Sequence, residues 1–368
     1  MKYILLTFSL LLICPLSYGQ QPILGHGYDF STNGKLNDST SLPLKTYNLE
    51  QKKDIIQINN HSYLNQGLAS NNLYLDGTKY KSYSLINGPK YNSNTLKALT
   101  KRLNNTKTLD LSTLSLYKLN GEDKIGNVHF TSYYIPTIEV SKTKDSIYKF
   151  PIYKKPKESY YQNLSRYDID INHKLKNKGL ELAYAKNYFD LFSMMIQGSG
   201  YVVFKDGTKQ LFSYGGKNRR AYYSIGRYLA SKNYISLEKM SLTSIKNWFN
   251  QHPDSTHIYM KNKSYVYFTP KKSKPTGACS VPLINHVSVA ADFKYLPKGS
   301  ILLGKIPVLN TNGEFIKHEY KILIVHDTGG AIKGSGHIDL YAGEGIQGEN
   351  YASAMHHYGE LWLILPKK

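Results

Sequence analysis

From Tyr265 to its end the chain alternates short apolar runs with tight turns, and this pattern restricts the fold more than any other feature. The runs are Tyr265-Val266-Tyr267-Phe268, Val287 to Ala290, Ile301-Leu302-Leu303, Tyr320 to Val325 and Leu361 to Leu365. Each is too short for a stable helix and most are rich in β-branched or aromatic residues, so each reads as a strand. Several short strands of this kind must pair off their edges to stay soluble, and over a C-terminal segment of this size that means a small barrel. A short helix is expected at Glu349 to His356, before the last strand.

Upstream the pattern is mixed. A length of 368 residues allows two or three domains, and 41% hydrophobic with 20% charged residues is a globular balance rather than a disordered, collagen-like or polytopic membrane one. Residues from about 21 to 90 are rich in Asn, Ser and Tyr, with weak periodicity, so loops and short elements are expected there. A helix is expected at Asn94 to Leu103 and a strand at Asn127 to Tyr134, ended by Pro136. Asp190 to Ile196 fits either a helix or a buried strand; Tyr201 to Phe204 followed by Asp206-Gly207 reads as a hairpin. Further helices are expected from Ser224 and from Ser241, the second with Leu242, Ile245 and Phe249 on one face.

The first nineteen residues read as an export signal: Lys2, the apolar run Ile4 to Ile13, and a small-residue cleavage site at Ser17-Tyr18-Gly19. Export to the periplasm or cell envelope is the expectation. The alternative is an outer-membrane lipoprotein anchored through Cys14, although Ile13 is a poor fit to a lipoprotein cleavage box. The net charge of +21 suits an acidic partner. For an exported chain that partner is an envelope polymer and not nucleic acid, although a high content of Tyr, Asn, Lys and Ile is also what an AT-rich genome produces. After soluble export only Cys279 remains of the two cysteines, so no intramolecular disulfide is possible; it reads as a buried filler rather than a nucleophile.

Chemistry concentrates near the C-terminus. Asp292 follows an apolar run, Asp327 ends another, and Asp339 follows the glycine-rich stretch Gly329 to Gly336. Carboxylates that share a pocket cannot all ionise easily, so one stays protonated near neutral pH and can serve as a general acid. The plainer reading is that these aspartates cap turns. His326, His337 and His356-His357 raise the question of a metal, but adjacent histidines on a helix point apart and no ligand spacing is present, so no metal is expected.

These residues carry a resemblance. The run Asp327-Thr328-Gly329-Gly330-Ala331-Ile332-Lys333-Gly334 through Asp339-Leu340-Tyr341-Ala342-Gly343, then Tyr358-Gly359-Glu360-Leu361-Trp362, resembles the three-aspartate domain of the membrane-bound lytic murein transglycosylase A family. Upstream, Phe130 to Pro136, Phe150 to Pro156, Ile196 to Gly200, Ser213 to Asn218, Ser224 to Gly226 and Gly277 to Leu283 are similar to family motifs in the same order. The resemblance implies a mainly β architecture: a double-psi β-barrel built from 91–134 and 269–368, with a second, mainly β domain of 135–268 inserted in it and a long groove between them. It also implies a lytic transglycosylase acting on peptidoglycan glycan strands without a cofactor. Asp339 matches the catalytic acid and Asp327 and Asp292 its supporting pair. Ser132 stands where the family prefers glycine, and Arg219-Arg220 where a glycine-containing pair is common.

On this reading Tyr133, Tyr134, Tyr214 and Tyr222 would stack on sugar faces, while Gln197, Gly198, Ser199 and Lys217 would meet hydroxyls, acetamides or the lactyl carboxylate. Each tyrosine equally suits core packing. Two other functions fit the same residues. A hydrolase would need a second working carboxylate, for which Asp292 or Asp327 could serve. A non-catalytic glycan-binding barrel would leave Asp339 exposed and unpartnered.

Overall fold

The computed structural model describes residues 41–42, 45–46, 55–77, 83–85, 90–123, 126–236, 239–310 and 313–367. The expected export segment 1–19 and Cys14 lie outside the described residues.

Two sheets dominate. In the first, six strands close on themselves: Ile301–Leu309, Phe315–Asp327, Ser288–Ala290, His337–Glu344, Val128–Ile135 and His356–Pro366, the last pairing back onto the first. Two of these pairings are parallel, Ser288–Ala290 with Phe315–Asp327 and His337–Glu344 with Val128–Ile135; the other four are antiparallel. Closure explains the sequence pattern: the register puts Val289, Leu302, Leu323, Val325, Ile338, Leu340, Leu361 and Leu363, all buried, on one face as the interior, while Ile301, Leu303, Ile322 and Ile324 face the other way. The second sheet is open, in the order Phe150–Tyr153, Glu181–Ala185, Thr137–Ser141, Gly200–Phe204, Lys209–Lys217 and Val266–Lys271. It has its own core around Val140, Ile152, Ala183, Val202 and Phe212. The fold is thus mainly β, a closed barrel beside a half-barrel.

The two sheets meet along a small apolar cluster in which Leu211 and Tyr201 of the open sheet pack with Tyr133, Ile135, Ala290, Ile332 and Tyr341 of the barrel side. Tyr201 also donates its hydroxyl to Glu344 Oε1 at 3.2 Å. This seam holds the half-barrel beside the strands that carry Asp327 and Asp339.

Two helices cover the far side of the barrel. Ser93–Leu103 is legible from its sequence: Asn92 accepts the Thr95 N–H at 3.0 Å as N-cap, and Leu96, Leu99 and Leu103 form one buried stripe. His61–Gly77 corrects the expectation that loops and short elements dominate before residue 90. Its apolar face is only Leu64, Leu68 and Leu75, interrupted by Asn and Ser, so its periodicity is faint. Long-range polar contacts replace the missing apolar ones: Asn60 donates to the carbonyls of His286 and Ile322 at 2.8 Å each, and Asn71 donates to Gly299 O at 3.1 Å. Gly67 lets this helix lie against the barrel, because a Cβ there would stand 2.4 Å from Val287 Cγ1. Gly67→Ala is therefore expected to lower stability by about 1–3 kcal/mol in denaturant unfolding, the usual cost of overpacking.

Asp190 to Ile196, ambiguous in sequence, is part of the helix Tyr188–Gln197, capped by Asn187 and ended by Gly198 at φ 84°. Among the described residues no helix is long and apolar enough to cross a membrane.

Candidate active site

Strand pairing brings the aspartates together. Ala290 pairs with Asp327 on one side and with Asp339 on the other, so one small residue separates the two aspartates, whose backbones stand about 10 Å apart, two inter-strand spacings. Ile338 and Leu340 point into the barrel, hence His337, Asp339 and Tyr341 point outward toward the seam with the second sheet. Asp339 lies within its strand rather than at the end of one.

The three carboxyls have different surroundings. Asp327 is held from three directions: Oδ1 accepts the backbone N–H groups of Ala278 and Thr328, both at 2.8 Å, and Oδ2 accepts the Tyr133 hydroxyl at 3.0 Å. Loss of hydration pushes its pKa up, against the pull of those bonds and of the Lys298 ammonium. Asp292 fastens a loop, with Oδ1 accepting from Lys294 N at 3.1 Å and Oδ2 from Gly334 N at 3.0 Å. Among the described residues Asp339 accepts one protein hydrogen bond, on Oδ1 from the Thr131 hydroxyl at 2.6 Å. Burial pushes its pKa up to about 7, the Thr131 bond opposes this, and the charge of Asp327 adds to it. A carboxyl in that range can be protonated or ionised near neutral pH, which suits proton transfer in either direction.

The residues expected to bind substrate divide into two groups. Tyr133 and Tyr134, expected as stacking platforms, are only 9% and 3% exposed. The Tyr133 ring packs against Tyr341 with centroids 5.4 Å apart, so its place is beneath the site, as the donor that holds Asp327. Tyr134 is buried, and its backbone N–H donates to Gln197 Oε1 at 3.2 Å. That bond ties the turn Gln197-Gly198-Ser199 to the barrel strand carrying Thr131, and Ser199 Oγ accepts the Tyr214 N–H at 3.1 Å. By contrast Tyr214 and Tyr222 are 54% and 40% exposed, and Lys217 is exposed at the end of the same strand as Tyr214. Arg219 and Arg220 are engaged within the half-barrel, donating to Ser159 Oγ and to the Asn163 carbonyl.

Cys279 is buried, with its thiol pushed up to about 12 by burial, which fits a packing role. Among the described residues no cluster of His, Cys, Asp or Glu has the arrangement of a metal site. Thr131 and, through it, His337 adjoin Asp339, and the sequence reading did not single either out as its neighbour. The usable signal was period-two spacing, since His337 shares a strand face with Asp339 and Thr131 shares one with Tyr133.

Residues 129–269 match the family model for the MltA specific insert domain, and residues 287–365 match that for the 3D domain. The chain is similar to membrane-bound lytic murein transglycosylase A of Vibrio cholerae, 40% identical over 252 residues that cover 67% of this chain and 68% of the relative. A homolog in Buchnera aphidicola is 32% identical over 345 residues, covering 92% and 89% of the two chains. Among solved structures, Escherichia coli MltA with bound chitohexaose superposes with a TM-score of 0.77 at 29% identity, covering 95% of this chain and 100% of that one.

Proposed function

Since this chain belongs to the membrane-bound lytic murein transglycosylase A family and is a peptidoglycan lytic transglycosylase, we propose that Asp339 alone carries its proton transfers. Asp339 gives its proton to the glycosidic oxygen that leaves with N-acetylglucosamine, as the bond to the anomeric carbon of N-acetylmuramic acid breaks. The resulting carboxylate then takes the proton of the muramic acid C6 hydroxyl as that oxygen attacks the same anomeric carbon. The product is a 1,6-anhydro end, and Asp339 is protonated again.

One observation carries this reading: of the three aspartates only Asp339 keeps an oxygen, Oδ2, with no protein hydrogen bond among the described residues. A two-carboxylate hydrolase needs a second group free to activate water or to form a glycosyl ester. Asp327 and Asp292 are both tied to backbone N–H groups, which disfavours that alternative. The test is mass spectrometry of the soluble fragments released from purified peptidoglycan. Anhydro ends are expected, and reducing ends would favour the hydrolase.

Asp327 raises the proton affinity of its neighbour. Asp327→Asn removes a negative charge, so Asp339 ionises at lower pH and the alkaline limb of the pH–rate profile moves down by up to about one pH unit. Asp292 acts at a distance by shaping the loop at Gly334, so Asp292→Asn is the mildest of the three changes.

We assign the glycan to the groove along the seam, with Tyr214, Tyr222, Lys217 and Ser199 on the half-barrel wall. Chitohexaose, an oligomer of β-1,4-linked aminosugars bound by the E. coli relative, is the kind of ligand such a groove would take. The two parallel strand pairings support a double-psi barrel of 91–134 and 269–368, with 135–268 as its insertion. Its substrate places the enzyme in the cell envelope, with residues 1–19 as the export signal. Acylation of Cys14 would anchor it at the outer membrane.

A further inference from the structure

A row of aromatic polar side chains runs from Asp339 across three neighbouring strands. The register sets His337 opposite His129 and Asp339 opposite Thr131, while Tyr358 and His356 of the C-terminal strand face His129 and Thr131 from the other side. Thr131 Oγ1 lies 2.6 Å from Asp339 Oδ1 and 2.9 Å from His337 Nε2. The His337 ring stacks on His129 with centroids 5.0 Å apart and planes 20° apart. His129 Nε2 lies 3.0 Å from His356 Nδ1, and its other face stacks on Tyr358 at 5.2 Å. Glu122 closes the row, accepting the Tyr358 hydroxyl at 3.0 Å and standing 3.8 Å from His129 Nδ1.

A threonine hydroxyl has one proton. If Thr131 donates it to Asp339 Oδ1, then the nitrogen beside Thr131 must itself be a donor. We propose that His337 is a positioning residue: its Nε2–H donates to Thr131, which fixes the Thr131 hydroxyl toward Asp339 Oδ1 and confines the acidic proton of Asp339 to Oδ2, the oxygen left open to substrate. The inference rests on Asp339 as the acid. Without the Nε2–H, Thr131 can turn its proton to the ring, and Asp339 can then carry its own proton on Oδ1, aimed away from the glycosidic oxygen. The charged and titratable groups facing His337 are Asp339 on its own strand, His129 on the adjoining strand, and His356, Tyr358 and Glu122 beyond it. Burial, with His356 nearby, lowers the His337 pKa to about 4, so the ring is neutral at the pH where Asp339 works and has one tautomer to choose.

The experiment compares His337→Phe, His337→Gln and Thr131→Val by release of anhydro fragments from purified peptidoglycan over a range of pH. His337→Phe keeps a ring without a donor and is expected to lower kcat about tenfold with little change in KM, the effect of one lost oriented hydrogen bond. Its alkaline limb moves upward, because a less firmly directed Thr131 hydroxyl stabilises the Asp339 carboxylate less. His337→Gln, whose amide can donate from a similar place, restores most of the loss. The double variant His337→Phe, Thr131→Val is no slower than Thr131→Val alone. An unmoved pH profile in His337→Phe, equal damage in the Gln and Phe variants, or multiplying effects in the double variant would each overturn the role of His337.

Should the variants fold poorly, ring 15N chemical shifts of the unaltered protein decide the matter: Nε2 protonated is expected, and an Nδ1–H tautomer refutes the inference. Asp339→Asn separates the two levels. If it is inactive while His337→Phe behaves as the unaltered protein, only this inference fails; if it turns over normally, the assignment of the acid fails with it.

Discussion

Asp339→Asn is expected to lower turnover by about 10²–10⁴-fold, the range for loss of a general acid–base, while leaving glycan affinity nearly unchanged. Asparagine keeps the outline of the side chain and can still accept the Thr131 hydrogen bond, so the groove retains its shape. It can neither give a proton to a leaving oxygen nor take one from a hydroxyl. On the proposed mechanism one carboxyl serves both steps with no second group to compensate, so the fall should reach the upper part of that range. Binding of a chitin hexamer, measured by calorimetry beside the rate of fragment release, separates the two quantities. Asp327→Asn should be less damaged, since its carboxylate sets a proton affinity without moving a proton. Turnover in Asp339→Asn within about tenfold of the unaltered protein, or an Asp327 variant more damaged than it, would transfer the acid to Asp327.

The largest effect on stability is expected at Arg166, in the half-barrel. This arginine is 1% exposed and donates to the carbonyls of Asn262 and Ser264 at 3.0 and 2.7 Å. Its guanidinium lies 4.8 Å from the Phe192 ring and 5.1 Å from the Tyr265 ring, and 3.6 Å from Asp170 Oδ2. Arg166→Met fills much of the same volume but leaves the Asp170 carboxylate buried without its counter-ion and two carbonyls without a donor. Breaking a buried pair from one side costs about 3–5 kcal/mol, and urea unfolding should show it. A loss below about 1 kcal/mol would mean that the guanidinium contributes packing alone.

Function should follow in the same variant. Arg166 also donates to Met195 Sδ at 3.3 Å, on the helix that ends at Gln197 beside the proposed groove. Turnover of the folded fraction should therefore fall through KM more than through kcat. Adding Asp170→Asn removes the orphaned charge and should recover part of the stability.

Much of the local structure was written in residue types. Ser224, Ser241 and Asn187 each accept a backbone N–H at the start of a helix, and Asp206-Gly207 joins Gly200–Phe204 to Lys209–Lys217, because capping and turn chemistry act over a few residues. The strand alternation around Thr131 and the apolar runs after Tyr265 fix which side chains share a face, since the β period is two. Asp292, Asp327 and Asp339 stood out for the same reason, as acids beside strands and glycine turns in a basic chain.

What these side chains meet was decided only by the tertiary structure. Thr131 and Asp339 are 208 residues apart and Tyr133 and Asp327 are 194 apart, and no local pattern specifies the register between such strands. Register decides that Asp327 spends its oxygens on two backbone N–H groups and the Tyr133 hydroxyl and Asp292 on two backbone N–H groups, while Asp339 keeps one open among the described residues. It also turns Tyr133 from an expected stacking ring into the donor beneath Asp327. Helix His61–Gly77 was obscured for a related reason, because Asn60 and Asn71 bond to barrel carbonyls more than 200 residues away. Sequence thus determined the elements and the candidate acids through short-range backbone preference, and pairing across the barrel determined which carboxylate oxygens are engaged, because hydration and hydrogen bonding are set by neighbours in space.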